Sequence, residues 1–139
     1  MNEYMIPPCF YRVSTKALIF KDNKILLIME PDGRWELPGG GLEVGETFES
    51  GLRREIKEEI GVNVTYVETN PSHVWSLVVD DGQKGIIPKL ILLFVVKVDS
   101  LNFTGNKEES VKLEFFSLEE LKSLNLHPNI RPLADLIQL

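Results

Sequence analysis

The chain has 139 residues, 43% hydrophobic and 26% charged, with 15 Lys and Arg against 21 Asp and Glu for a net charge of −6. That length fits one domain, read as residues 1–139, and the composition excludes a disordered or fibrous chain. The acidic balance opposes nucleic-acid binding by bulk charge, the lone Cys9 excludes an intramolecular disulfide, and no apolar run approaches the ~18 residues of a membrane span.

Residues 1–10 hold no basic n-region, so no secretory leader is expected and the expected location is cytoplasmic. Residues 13–20 and 25–29 are rich in β-branched and apolar side chains. They flank Lys21-Asp22-Asn23-Lys24, whose turn chemistry predicts a hairpin. Asp32-Gly33 marks a turn before the short segment 34–37, and Pro38-Gly39-Gly40-Gly41 predicts a break in regular structure. From Thr47 to Ile60 the period becomes helical, with Phe48, Leu52, Ile56 and Ile60 four residues apart and Gly61 as the stop. Residues 62–68, 73–79 and 86–98 read as strands, the last two joined by Asp80-Asp81-Gly82. Residues 99–110 read as a polar loop and 112–116 as a short strand. Ser117-Leu118-Glu119-Glu120 is a capping box that opens a short helix. Residues 129–137 predict a closing helix with Ile130, Leu133, Leu136 and Ile137 on one side. This order predicts α+β or an α/β/α sandwich around a mixed sheet.

The central helix is unusually acidic. Residues 42–62 hold six glutamates (Glu43, Glu46, Glu49, Glu55, Glu58, Glu59) against Arg53, Arg54 and Lys57. Spacings of three and four place Glu55, Glu58 and Glu59 on one helical face. With about 100° per residue, Glu59 sits at the edge of the apolar stripe, and Gly51 lies between the carboxylates. The missing side chain there admits another chain segment or a ligand. Like charges at these spacings cost roughly 0.2–0.5 kcal/mol per pair. Glu58 and Glu59 also lie at the negative end of the helix dipole. A hard divalent cation with oxygen ligands would offset both effects. A solvated acidic face paired to Arg54 and Lys57 is the bland alternative.

The surrounding frame decides between them. Gly40, five residues, Glu46, seven residues, then Arg54-Glu55-Ile56-x-Glu58-Glu59-x-Gly61-Val62 resembles the Nudix box at every fixed position. The lead-in Trp35-Glu36-Leu37-Pro38-Gly39-Gly40 resembles the family's too, and a weaker likeness runs through length, element order and Phe115–Leu121. The resemblance implies an α/β fold, the Nudix-type α/β/α sandwich with a mixed β-sheet. It implies a pyrophosphohydrolase that uses Mg²⁺ or Mn²⁺ to cleave a nucleoside diphosphate linked to another moiety. On this sequence Glu55, Glu58 and Glu59 match the metal-binding and catalytic carboxylates. Gly39 and Gly40 match loop glycines, one of whose carbonyls, taken here as that of Gly39, completes the metal shell. Arg54 matches the arginine that orients the glutamates, with Glu46 as its ion-pair partner.

The chemistry agrees with that assignment. A diphosphate would be repelled by bare carboxylates, and metal ions bridge the two and activate a water. A general base must reach that water, and the candidates are Glu58 or Glu59 on the helix or an acid from a later loop. Relatives often take the base from the loop before the last strand, which here offers Glu108 and, preferred, Glu109. Trp75 could stack on a base and Trp35 could touch substrate, although both suit a core. Arg12 and Lys89 are surface charges or phosphate contacts. The proline expected of ADP-ribose hydrolases about 15 residues after the box is absent, as is the tyrosine of dinucleoside polyphosphate hydrolases. Nucleoside triphosphates, oxidised ones included, remain the favoured substrates. A nucleotide-sensing module and an RNA 5′-pyrophosphohydrolase are the alternatives. The expected partner is a small-molecule nucleotide, with no membrane, and the apolar stretch 86–96 could serve a homodimer.

Overall fold

The computed structural model describes residues 10–80, 82–103 and 112–136. In chain order the elements are β1 (Arg12–Leu18), β2 (Phe20–Lys21), β3 (Lys24–Met29), β4 (Trp35–Glu36), β5 (Gly39–Gly41), α1 (Phe48–Ile60), β6 (Val64–Val67), β7 (His73–Asp80), β8 (Ile86–Val98), β9 (Leu113–Ser117) and α2 (Leu118–Leu121), then a 3-10 turn (Pro128–Ile130) and α3 (Leu133–Leu136).

The expected hairpin forms between β2 and β3. Asp22 and Asn23 take φ of 49° and 62°, the pair of positive angles that a two-residue type I′ turn requires. The strand ahead of it is shorter than expected, because it breaks at Ile19. β1 then leaves the hairpin to pair β8 in parallel, with Thr15 opposite Leu92. One sheet has the order β5-β1-β8-β6 with β7 also on β8, and the other has β2-β3-β4 with β9 on β3. The first is therefore mixed, as expected, and the second antiparallel.

Two cores flank the sheets. Ala17, Leu26, Ile28, Leu92, Phe94 and Val96 face Leu52, Ile56 and Ile60 of α1. Their sequence neighbours Leu18, Ile25, Leu27, Ile91 and Leu93 face Leu121, Ile130 and Leu133 on the other side. Burial on both faces explains why β3 and β8 read as continuous apolar runs without alternation.

α1 begins at Thr47, whose hydroxyl accepts the Ser50 N–H at 3.1 Å while Ser50 Oγ accepts the Thr47 N–H at 2.9 Å. It ends at Gly61, left-handed at φ 74°, which donates to the Lys57 carbonyl. The closing helix is corrected: Pro132 lies between the 3-10 turn and α3, since proline cannot donate the bond that would join them. The expected break at residues 38–41 is also corrected. Gly39–Gly41 forms a strand antiparallel to β1, with Thr15 opposite Gly40. Among the described residues, no helix is long and apolar enough to cross a membrane.

Candidate active site

β5 and the last two turns of α1 meet because glycines let them. Gly39 takes φ 127°, and a Cβ there would strike the Thr15 carbonyl of β1. Its N–H points the other way and donates to Glu59 Oε1 at 2.8 Å. A Cβ on Gly40 would lie 2.7 Å from Glu55 Oε1, so the Glu55 carboxylate rests against bare backbone. Glu55 and Glu59 thus touch consecutive residues of one strand. Gly51 serves the same packing: a Cβ there would lie 2.6 Å from Leu42 Cδ2, so a chain segment fills the gap between the carboxylates.

The electrostatics follow from burial. Glu59 is pushed up to about 8, first by burial and further by the neighbouring Glu55, against the pull of Lys16 and the Gly39 N–H. Arg54 holds the remaining acids. It grips Glu46 through Nε at 2.7 Å and Nη2 at 2.9 Å, and reaches Glu55 Oε1 at 3.0 Å and Glu58 Oε2 at 3.3 Å. The forked contact keeps the Glu46 carboxyl ionised, down at about 2.

Lys16 of β1 completes the floor. It is buried, its Nζ donates to the Gly39 carbonyl at 3.2 Å, and it stands 3.6 Å from Glu36 Oε1. Residue Gly39 is therefore held on both sides, by Glu59 at its N–H and by Lys16 at its carbonyl. Glu36 is also buried. It accepts from Leu37 N at 2.9 Å and Asn129 Nδ2 at 3.1 Å. Sequence reasoning missed this network. Its one signal was a lysine inside a predicted strand between Thr15 and Ala17.

The donor set suits a hard divalent cation: carboxylate oxygens, with the Glu59 carboxyl protonated at neutral pH because burial outweighs the pull of Lys16. Among the described residues, no three His, Cys, Asp or Glu side chains already form a cage, since Glu58 is exposed and turned to Arg54. Lys16 takes one of the two lone pairs on the Gly39 carbonyl.

Trp35 and Trp75 lie with the second core, apart from the glutamates. Trp35 is 6% exposed and packs edge-on against Phe116, centroids 4.8 Å apart. Trp75 Nε1 donates to the Asn129 carbonyl at 2.8 Å. Arg12 closes over β5, donating to the Leu42 carbonyl at 2.6 Å. Glu108 and Glu109 lie outside the described residues.

Comparison with known proteins supplies the frame for this geometry. The NUDIX domain family matches residues 10–137. A nucleoside triphosphatase NudI of Escherichia coli (strain SE11) is 35% identical over 111 residues, 70% of this chain and 72% of that protein. The MutT protein structure from Methanosarcina mazei superposes with a TM-score of 0.71 at 20% identity, covering 94% of each chain. An ADP-ribose pyrophosphatase structure from Streptococcus suis is 30% identical at a TM-score of 0.59, covering 88% of this chain and 84% of that one. The chain belongs to the Nudix hydrolases, enzymes that act on pyrophosphate bonds of nucleotide derivatives.

Proposed function

We propose that this protein is a metal-dependent pyrophosphohydrolase that cleaves a diphosphate linkage in nucleoside triphosphates, oxidised ones included. The observation that carries the reading is the meeting of Glu55 and Glu59 on Gly39 and Gly40, with Arg54 holding the acids around them. The 35% identity to a nucleoside triphosphatase supports the substrate class.

Glu55, Glu58, Glu59 and the Gly39 carbonyl would hold the cation, Mg²⁺ or Mn²⁺, which supplies phosphate neutralisation and water activation when bound. The chain's own residues do the positioning. The Gly39 N–H fixes one Glu59 oxygen. Arg54 anchors itself on Glu46 and keeps Glu55 and Glu58 turned to one side. Glu109 is proposed as general base. The site is assigned to a cytoplasmic, single-domain enzyme with a nucleotide as its partner.

The test is hydrolysis of a panel with Mg²⁺: canonical and oxidised triphosphates, ADP-ribose, a dinucleoside polyphosphate and a nucleotide sugar. Triphosphate cleavage that Glu59→Gln removes is the expected result. Preference for ADP-ribose would move the substrate class, and binding without cleavage would favour a sensor. Glu109→Ala should lower kcat by about 10²–10⁴-fold, the contribution of a general base, with cation affinity unchanged. An unaltered kcat would return the base to α1.

A further inference from the structure

A recess of about 400 Å³ opens where Arg34, the facing ends of β7 and β8, and the 3-10 turn meet. Its wall carries Arg34, Lys89, Arg131 and His127, with Asp80 as the acid among them. The glutamate cluster uses none of these side chains. Asp80 turns its Oδ1 to the Gly82 N–H at 2.9 Å, inside its own hairpin turn. Arg34 is braced by Asp32 at 2.7 Å, which fixes its plane. Arg131 gives Nε to the Leu126 carbonyl at 3.3 Å, and among the described residues no hydrogen bond takes its terminal amino groups.

His127 adds a neutral donor. Its Nδ1 accepts the Asn129 N–H at 3.0 Å, so a neutral ring carries its proton on Nε2. The 3.4 Å approach of Glu36 to the same Nδ1 is therefore not an ion pair. Burial holds the imidazole below its usual range, with Arg34, Lys89 and Lys16 pushing the same way against Glu36.

We propose that this recess is a second anion site, apart from the glutamates, that takes a phosphate group. Planar guanidinium forks with a lysine point charge are the combination that recognises phosphate oxygens. The volume falls in the range of small-molecule sites and admits a phosphate with an attached group. A relay of contacts joins the recess to the active site: His127 touches Glu36, Glu36 faces Lys16, and Lys16 holds Gly39. The phosphate belongs either to a nucleotide substrate, beyond the linkage that is cut, or to free orthophosphate. The first source rests on the function proposed above.

The test titrates orthophosphate into metal-free protein, followed by calorimetry, so it needs no catalysis and is independent of that function. Saturable binding is expected, weakening with salt. Arg131→Gln and Lys89→Gln should each reduce it at least about tenfold, the scale of one charge-assisted hydrogen bond. Melting curves matching wild type show that both variants fold. Absence of saturable binding, or binding in both variants as tight as in the wild type, overturns the proposal even if nucleotides are hydrolysed. Orthophosphate that competes with the nucleotide identifies a substrate phosphate. Orthophosphate that binds alongside it identifies the free anion. Either result upholds the site.

Discussion

Glu59 and Arg54 show two ways to hold a carboxylate. Arg54 surrounds itself with acids and keeps Glu46 ionised through a forked contact. Glu59 has one backbone donor, a buried position and a like-charged neighbour, and its pKa rises to about 8. This makes stability depend on pH. The unfolded glutamate loses its proton near 4.5, whereas the folded one keeps it to about 8. Between those values the folded state binds more protons, so stability contributed by this group is complete below 4.5 and lost as pH rises toward 8. Glu46 acts with the opposite sign and below that window, since its folded carboxyl titrates at about 2. Metal-free protein should therefore melt lower at pH 8 than at pH 5, and Glu59→Gln should flatten that slope. Denaturant unfolding across the range checks it. A Gln variant with the wild-type slope would place the titration elsewhere.

At the scale of the element, β5 is three glycines, and the first two serve different contacts. Gly39 must lack a side chain because its φ is 127° and the Thr15 carbonyl stands against it. Gly40 has no positive φ, and what a Cβ would meet is the flexible Glu55 carboxylate. Gly39→Ala should thus damage the fold by at least about 1–3 kcal/mol of backbone strain. Gly40→Ala should leave the melting temperature near wild type, displace Glu55 and lower activity. Paired melting and kinetic measurements separate the two. Equal loss of stability in both variants would refute the distinction. β5 also marks the limit of what the sequence carries. Periodicity located α1, Gly61 marked its stop, and apolar runs located the strands, because those signals are local in the chain. Four consecutive residues of Pro and Gly look like a break by local preference. Only β1, more than twenty residues earlier, turns them into a strand. The same limit hid the second half of the site. The helix announced Glu55, Glu58 and Glu59 through spacing, and the box announced Arg54 with Glu46. Lys16, Glu36 and Asn129 are brought together by tertiary packing alone.

That packing joins the two halves of the molecule. α1 and its glutamates belong to the first core, and the 3-10 turn with Asn129 belongs to the second. Lys16 and Glu36 bridge them through buried charges, with side-chain exposures of 6% and 5%. Removing one partner of such a pair leaves the other uncompensated, at a cost of about 3–5 kcal/mol, whereas replacing both costs far less. Lys16→Met should therefore unfold at much lower denaturant, because Glu36 loses its cation and the Gly39 carbonyl loses its donor. Lys16→Met combined with Glu36→Gln should recover part of that loss. The Gln amide carries no buried charge: its single oxygen can still accept from Leu37, and its NH2, in place of the second oxygen, can donate to the Asn129 amide once that amide turns its oxygen inward. A double-mutant cycle in urea measures the coupling. Simple addition of the two single losses would mean that the charges are stabilised separately, and that the bridge between the cores is made by shape alone.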